Sequence, residues 1–297
     1  MGSATLGAAG GLGLWALLAD ARLVPGRSVV DTVLGRCDID ATPAPEAEPG
    51  KTLRSSFYSS HRKKTVRYQI HYPPEAAKAA GVRVPVCLYL HGEGGDEKEA
   101  ENLGLPRLLS GLTQAQLPPF VLVTVDGGPE GYWHPRASGD NPLGMVLEDL
   151  PVILRQYNLL VLDKIAIMGT SMGGLGALLA ATEAPERFAI VMATSPTLWH
   201  SFDDAQDEKP TSFDSNEDFK AYGDLRPRVD KLNGLAVRID CGDADPYEGT
   251  LRSLEEQLPP GTVKYAKGCH DRDFWRSVAS EQLNAIGLAL LPQQPQG

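Results

Sequence analysis

The chain has 297 residues, of which 42% are hydrophobic and 22% charged, an ordinary globular balance with enough apolar mass for a large core. Its formal charge of -10 argues against a nucleic-acid partner, because phosphate binding needs clustered Lys and Arg. Length alone allows two domains, but a single α/β domain accounts for it as well.

Residues 4–19 are uncharged and rich in Ala, Leu and Gly, and run into Ala19-Asp20-Ala21. The stretch is shorter than the roughly 18–20 residues of a spanning helix and ends in small residues, as a secretory signal does. It lacks the usual leading positive charge, since the first basic residue is Arg22. The expectation is a signal or membrane-anchor segment over 1–21. That makes the protein secreted or membrane-tethered, with a cytoplasmic home as the alternative. Residues 22–53 follow as a linker, rich in Pro, Ala and Glu from Asp38 to Lys51.

An antiparallel entry is predicted over about 55–72, with Arg62-Lys63-Lys64 as a solvated hairpin tip. Strand-like runs then fall at 84–90, 120–125, 164–168, 188–193, 235–240 and 262–266. Helix-like runs near 97–113, 143–157, 172–183, 248–258 and 273–290 separate them. Apolar strands alternating with helices predict an α/β fold with a mostly parallel sheet covered on both faces. Ligands bind such sheets at the carboxyl ends of the strands.

The strand at 84–90 runs into His91-Gly92-Glu93-Gly94-Gly95-Asp96, a turn whose N–H groups can point inward. Glu93 is the favoured backbone donor to an oxyanion, with Gly92 second, and His91 holds the loop. Asp126 to His134 follows the next strand. There Tyr132, Trp133 and His134 are candidates for substrate contact, the alternative being a packed aromatic floor. Asp140-Asn141-Pro142 reads as a turn into a helix, with Glu148-Asp149 solvated on it.

Gly169-Thr170-Ser171-Met172-Gly173-Gly174, between the apolar run 165–168 and the small-residue run 175–181, is the most informative stretch. G-x-S-x-G between a strand and a helix is a nucleophile elbow, in which a strained turn lifts the serine hydroxyl above the sheet. The glycines let strand and helix backbones approach each other. The Met172 N–H, next after the serine, is the other expected oxyanion donor.

A serine hydroxyl needs a base, and the base needs an acid to orient it. In this architecture acid and histidine follow the serine in that order. His200 precedes the acid candidates, so His270, in Lys267-Gly268-Cys269-His270-Asp271, is the base. For the acid, Asp240, Asp243 and Asp245 compete at the end of the run 235–240. Asp245 is favoured, with Asp243 as the competitor. The polar stretch 195–228 reads as a lid, whose Phe202, Phe213, Phe219 and Tyr222 line an acyl pocket or anchor the loop.

The combination L-x-L-H-G-x-G-G, G-T-S-M-G-G, C-G-x-x-D and G-C-H-D-x-x-F-W resembles the esterase branch of the α/β-hydrolase superfamily, from about Ser55 to Leu290. That branch includes S-formylglutathione hydrolases, feruloyl esterases and mycolyltransferases. The resemblance implies Ser171 as nucleophile, Asp245 as acid, His270 as base, and N–H donors at Met172 and near Glu93. It selects no substrate.

The four cysteines include Cys241 and Cys269, each close to a proposed acid or base. They form a disulfide if their strands are neighbours, the alternative being two buried thiols. No Cys/His spacing suits a metal and no dinucleotide or phosphate loop occurs, so no cofactor is implied. The reading is a serine esterase with an acyl-enzyme, acting on a small-molecule or lipid ester. An acyltransferase using the same intermediate is the nearest rival, and a non-catalytic binding protein on the same fold is the more distant one.

Overall fold

A computed structural model describes residues 35–39, 46–78 and 81–291. The expected signal or anchor segment, most of the linker and the tail at 293–297 lie outside the described residues. One linker boundary moves: β1 already begins at Lys51, inside the segment assigned to the linker. β1 (Lys51–Ser59) pairs antiparallel with β2 (Lys64–Tyr72), from Lys51 opposite Tyr72 to Ser59 opposite Lys64.

β3 (Val84–Leu90), β4 (Val121–Val125), β5 (Leu160–Thr170), β6 (Phe188–Thr194), β7 (Ala236–Gly242) and β8 (Val263–Ala266) continue the sheet. The order is β1-β2-β4-β3-β5-β6-β7-β8. β2 meets β4 antiparallel and every later pairing is parallel. β3, β4 and β6 are almost continuous apolar runs because helices cover both faces of the sheet and leave no wet side for alternation.

Six helices position the chemistry: α1 (Leu105–Gln114), α2 (Leu150–Leu154), α3 (Met172–Glu183), α4 (Phe202–Glu208), α5 (Glu248–Glu255) and α6 (Arg272–Ala289). α1 and α6 cover one face, where Leu105, Leu109, Leu283 and Ile286 join Cys87, Leu122 and Met168 in one cluster. α3 lies in the other cluster with Ile167, Val191 and Ile239. It is apolar all round because it is buried from Met172 to Thr182. The helix expected at 143–157 is broken into Pro142–Gly144, a π-helical turn Met145–Asp149 and α2, whose Pro151 sits in its first turn. Asn141 caps the start by accepting the Gly144 N–H at 2.8 Å.

Two surface expectations fail in part, at Arg62 and Asp149, because the hairpin tip packs down onto this helical segment, while Lys63 and Lys64 are exposed as expected. Arg62 is buried and grips Asp140 with Nε and Nη2, at 2.8 and 2.9 Å. Asp149 is not solvated either. It accepts from Ser59 Oγ at 2.6 Å, Ser60 Oγ at 2.8 Å and the His61 N–H at 3.1 Å. Burial raises the Asp149 carboxyl's pKa, but those donors outweigh it and bring it down to about 2. Glu148 is exposed as expected.

The lid at 195–228 contains α4, the short turn Asn216–Asp218 and the π-helical Phe219–Gly223, and it ends within a 3₁₀ segment, Arg226–Leu232. Phe213 and Phe219 are buried in the core, and Phe202 and Tyr222 pack against it. These contacts anchor the lid. Among the described residues no helix is long and apolar enough to cross a membrane.

Candidate active site

Ser171 stands between the end of β5 and the start of α3, with φ 52° and ψ -120°. A non-glycine residue holds such a backbone only where its surroundings enforce it. Here the enforcement is steric closeness. A Cβ on Gly169 would lie 2.1 Å from Gly173 O, and one on Gly173 would lie 2.0 Å from Leu90 O. Neither position tolerates a side chain, which is the physical content of the G-x-S-x-G spacing. The Ser171 N–H is tied to Thr194 O on β6 at 2.9 Å, fixing the elbow to the neighbouring strand.

The loop after β8 delivers His270, and the loop after β7 delivers Asp245. His270 Nε2 is 2.8 Å from Ser171 Oγ, and His270 Nδ1 is 2.9 Å from Asp245 Oδ2. Asp245 is fully buried, and its other oxygen accepts the Tyr247 N–H at 2.9 Å. The Tyr247 and Trp275 rings meet the imidazole edge-to-face, with centroids 5.1 and 5.5 Å away. Carboxylate, imidazole and hydroxyl therefore form one hydrogen-bonded chain. Asp243 is exposed and accepts the Gly268 N–H at 3.3 Å, a turn-forming use. Asp240 is buried against Arg238 and Gln282.

The loop after β3 lies beside the elbow. The Gly92 N–H donates to Glu99 Oε2 at 2.6 Å, Gly94 to Pro129 O at 2.8 Å and Gly95 to Gly92 O at 3.1 Å. The Gly92 N–H is thus already committed within the protein, against the expectation of Gly92 as the second donor to an oxyanion. The Met172 N–H opens α3 and has no carbonyl four residues back within the helix. Glu99 is buried and also accepts from Tyr89 Oη at 3.1 Å. Burial raises its pKa, against the pull of these two donors. His91 Nε2 accepts the Gly127 N–H at 2.9 Å, so its Nδ1–H donates to Gly92 O at 2.7 Å. Burial lowers its pKa, in keeping with a neutral ring that holds the loop.

Tyr132, Trp133 and His134 are at most 1% exposed. Tyr132 and Trp133 both have positive φ, 45° and 56°, and Trp133 Nε1 donates to His91 O at 3.1 Å. His134 stacks on Phe213 and Tyr222, and its Nε2 lies 2.8 Å from Ser212 O. The three side chains form a packed floor beneath the loops, the alternative that the sequence left open beside direct substrate contact. The lid is tied to the loops around the site. Glu208 accepts from Trp199 Nε1 at 3.0 Å and from the Tyr247 hydroxyl, and Lys209 pairs with the Glu93 carboxylate.

The expected Cys241–Cys269 disulfide is also corrected: Cys269 bonds to Cys37, with 5.0 Å between Cα atoms, at a sequence separation of 232. Strand alternation is the cause. Cys241 points with Ile239 into the core, where its Sγ lies 3.5 Å from Gly242 O, whereas Cys269 sits in the loop beyond β8. Sequence reasoning missed Cys37, Glu99 and Thr197, whose hydroxyl is 3.1 Å from Ser171 Oγ. The even cysteine count was a signal for the first. Nothing local marks the other two.

Comparison with known proteins bears on the family and the fold. Residues 59–277 match the family described as "Putative esterase". Among solved structures, a ferulic acid esterase superposes with a TM-score of 0.67 at 19% identity, covering 81% of this chain and 99% of that one. An S-formylglutathione hydrolase from Agrobacterium tumefaciens gives 0.67 at 22%, covering 85% and 100%. The enterobactin esterase FES from Shigella flexneri gives 0.61 at 24%, covering 83% and 62%. A "Dipeptidyl peptidase family member 1" of Caenorhabditis elegans is 27% identical over 173 residues, and the matched part of this chain, 54% of it, spans only 21% of that relative. The solved structures share the α/β-hydrolase fold of this chain; the family match covers well over half of the sequence, and the chain belongs to that esterase family.

Proposed function

We propose that the protein is a serine carboxylic-ester hydrolase working through an acyl-enzyme, with Ser171 as nucleophile, His270 as base and Asp245 as the acid that orients it. The observation that carries this reading is the continuous hydrogen-bond chain from Asp245 Oδ2 through His270 to Ser171 Oγ. A carboxylate bonded to Nδ1–H leaves the Nε2 lone pair facing the serine proton, which is the tautomer general-base catalysis needs.

In the first half-reaction the serine oxygen attacks the ester carbon while its proton moves to Nε2. The N–H groups of Met172 and Glu93 receive the charge on the carbonyl oxygen. The imidazolium then returns that proton to the departing alcohol. In the second half-reaction water attacks the acyl group, the same imidazole takes its proton, and the acid leaves as the serine is regenerated.

The Cys37–Cys269 bond supports the further proposal that the protein works in an oxidising compartment, as a secreted or membrane-tethered enzyme. Labelling by a fluorophosphonate probe tests the catalytic reading. The full chain should label and hydrolyse p-nitrophenyl esters, and Ser171→Ala should do neither. A folded wild-type protein that never labels would overturn the reading in favour of a binding protein.

A further inference from the structure

Thr197 follows β6 at the start of the lid and is buried. Its Oγ1 lies 3.1 Å from Ser171 Oγ, and its N–H donates to Ser171 O at 3.2 Å. The direction of the hydroxyl contact follows from proton counting. His270 Nδ1–H is given to Asp245, so Nε2 is an acceptor and takes the one proton that Ser171 Oγ carries. Thr197 can then only donate to Oγ. The nucleophile is held by a donor on one side and an acceptor on the other.

The sheet order separates two flanks of the elbow. β3, whose loop carries Glu93, borders β5 on one side, and β6, whose loop carries Thr197, borders it on the other. An ester with its carbonyl oxygen turned toward the Met172 and Glu93 N–H groups directs its remaining oxygen away from β3, toward the flank of Thr197 and His270.

We propose that Thr197 is a catalytic residue that binds the hydroxylic partner of the reaction: the alcohol as it leaves and, above all, the water that releases the acyl group. This rests on the serine-esterase reading above. Once Oγ is esterified its lone pairs delocalise into the carbonyl and it becomes a poor acceptor, which releases the Thr197 hydroxyl. The incoming water gives one proton to His270 Nε2 and directs its second O–H to Thr197 Oγ1. Its oxygen forms the new bond to the acyl carbon. The bond from that carbon to Ser171 Oγ breaks as the imidazolium returns the proton to Oγ. Thr197 keeps its own proton throughout, so the step balances with no other reactant.

The test separates the two half-reactions in the full-length protein. p-Nitrophenyl acetate acylates with a leaving group that needs little proton assistance, so acylation should be nearly insensitive to Thr197. In Thr197→Val, release of p-nitrophenol in the first turnover should stay within a few-fold of wild type. Decay of the acyl-enzyme, followed by intact mass, should slow about tenfold, the kinetic equivalent of one neutral hydrogen bond. Thr197→Ser should restore it. Thr197→Ala removes the hydroxyl without adding volume and serves if the valine variant does not fold; retained fluorophosphonate labelling identifies a folded site. Unchanged acyl-enzyme decay overturns the proposal. So does an equal fall in both half-reactions that serine does not rescue. A wild-type protein that forms no acyl-enzyme defeats the esterase reading itself, an outcome visible before any Thr197 variant is made.

Discussion

At the scale of single residues, Asp245 and Asp243 differ only in what surrounds them. Asp245 is buried and offers one oxygen to His270 Nδ1 and the other to the Tyr247 N–H. Asp243 is exposed and braces a turn. Replacing Asp245 by Asn keeps the shape but lets an amide face Nδ1, which favours the wrong tautomer. kcat in Asp245→Asn should fall by about 10³–10⁴-fold. Asp243→Asn should stay within a few-fold of wild type. Parallel turnover measurements on the two variants check this assignment, and the reverse ranking would transfer the acid role to Asp243.

The hairpin and the helical segment behind it depend on one carboxylate. Asp149 gathers the hydroxyls of Ser59 and Ser60 and the His61 N–H, while Arg62 reaches past it to Asp140. A carboxyl whose folded pKa lies below its unfolded value contributes stability above the unfolded value, near 3.8, and loses it as pH falls toward about 2. Asp149→Asn should therefore lower Tm by several degrees at neutral pH, for a loss of about 2–3 kcal/mol. The difference from wild type should shrink between pH 4 and pH 2. Thermal melts across that range measure it. A gap between the two proteins that does not narrow in acid would show that the carboxylate is not the source.

Across the whole molecule, the Cys37–Cys269 bond joins the start of the described chain to the residue before His270. Closing so long a loop stabilises by roughly 2–5 kcal/mol in the chain-entropy view. It also restrains the loop that carries His270. Cys37→Ser, like reduction of the wild type, should lower Tm and reduce kcat for esters while leaving α-helical circular dichroism intact. An active-site titration paired with thermal melts reads both effects. A Tm and a kcat that both stay at their wild-type values would mean the bond contributes neither.

Chain order and local chemistry determined a great deal by themselves. The elbow is legible because G-x-S-x-G has a steric cause confined to a few residues, and the order serine, acid, histidine follows from how the strands succeed one another. The alternation of apolar runs and helices specified a mostly parallel sheet for the same local reason. Tertiary structure alone decided the disulfide partner, the burial of Arg62 and Asp149, the tie of the Gly92 N–H to Glu99, and the approach of Thr197 to Ser171. Each of these depends on which residues distant in sequence meet at a strand end. A side chain's own identity carries no record of what lies across that gap.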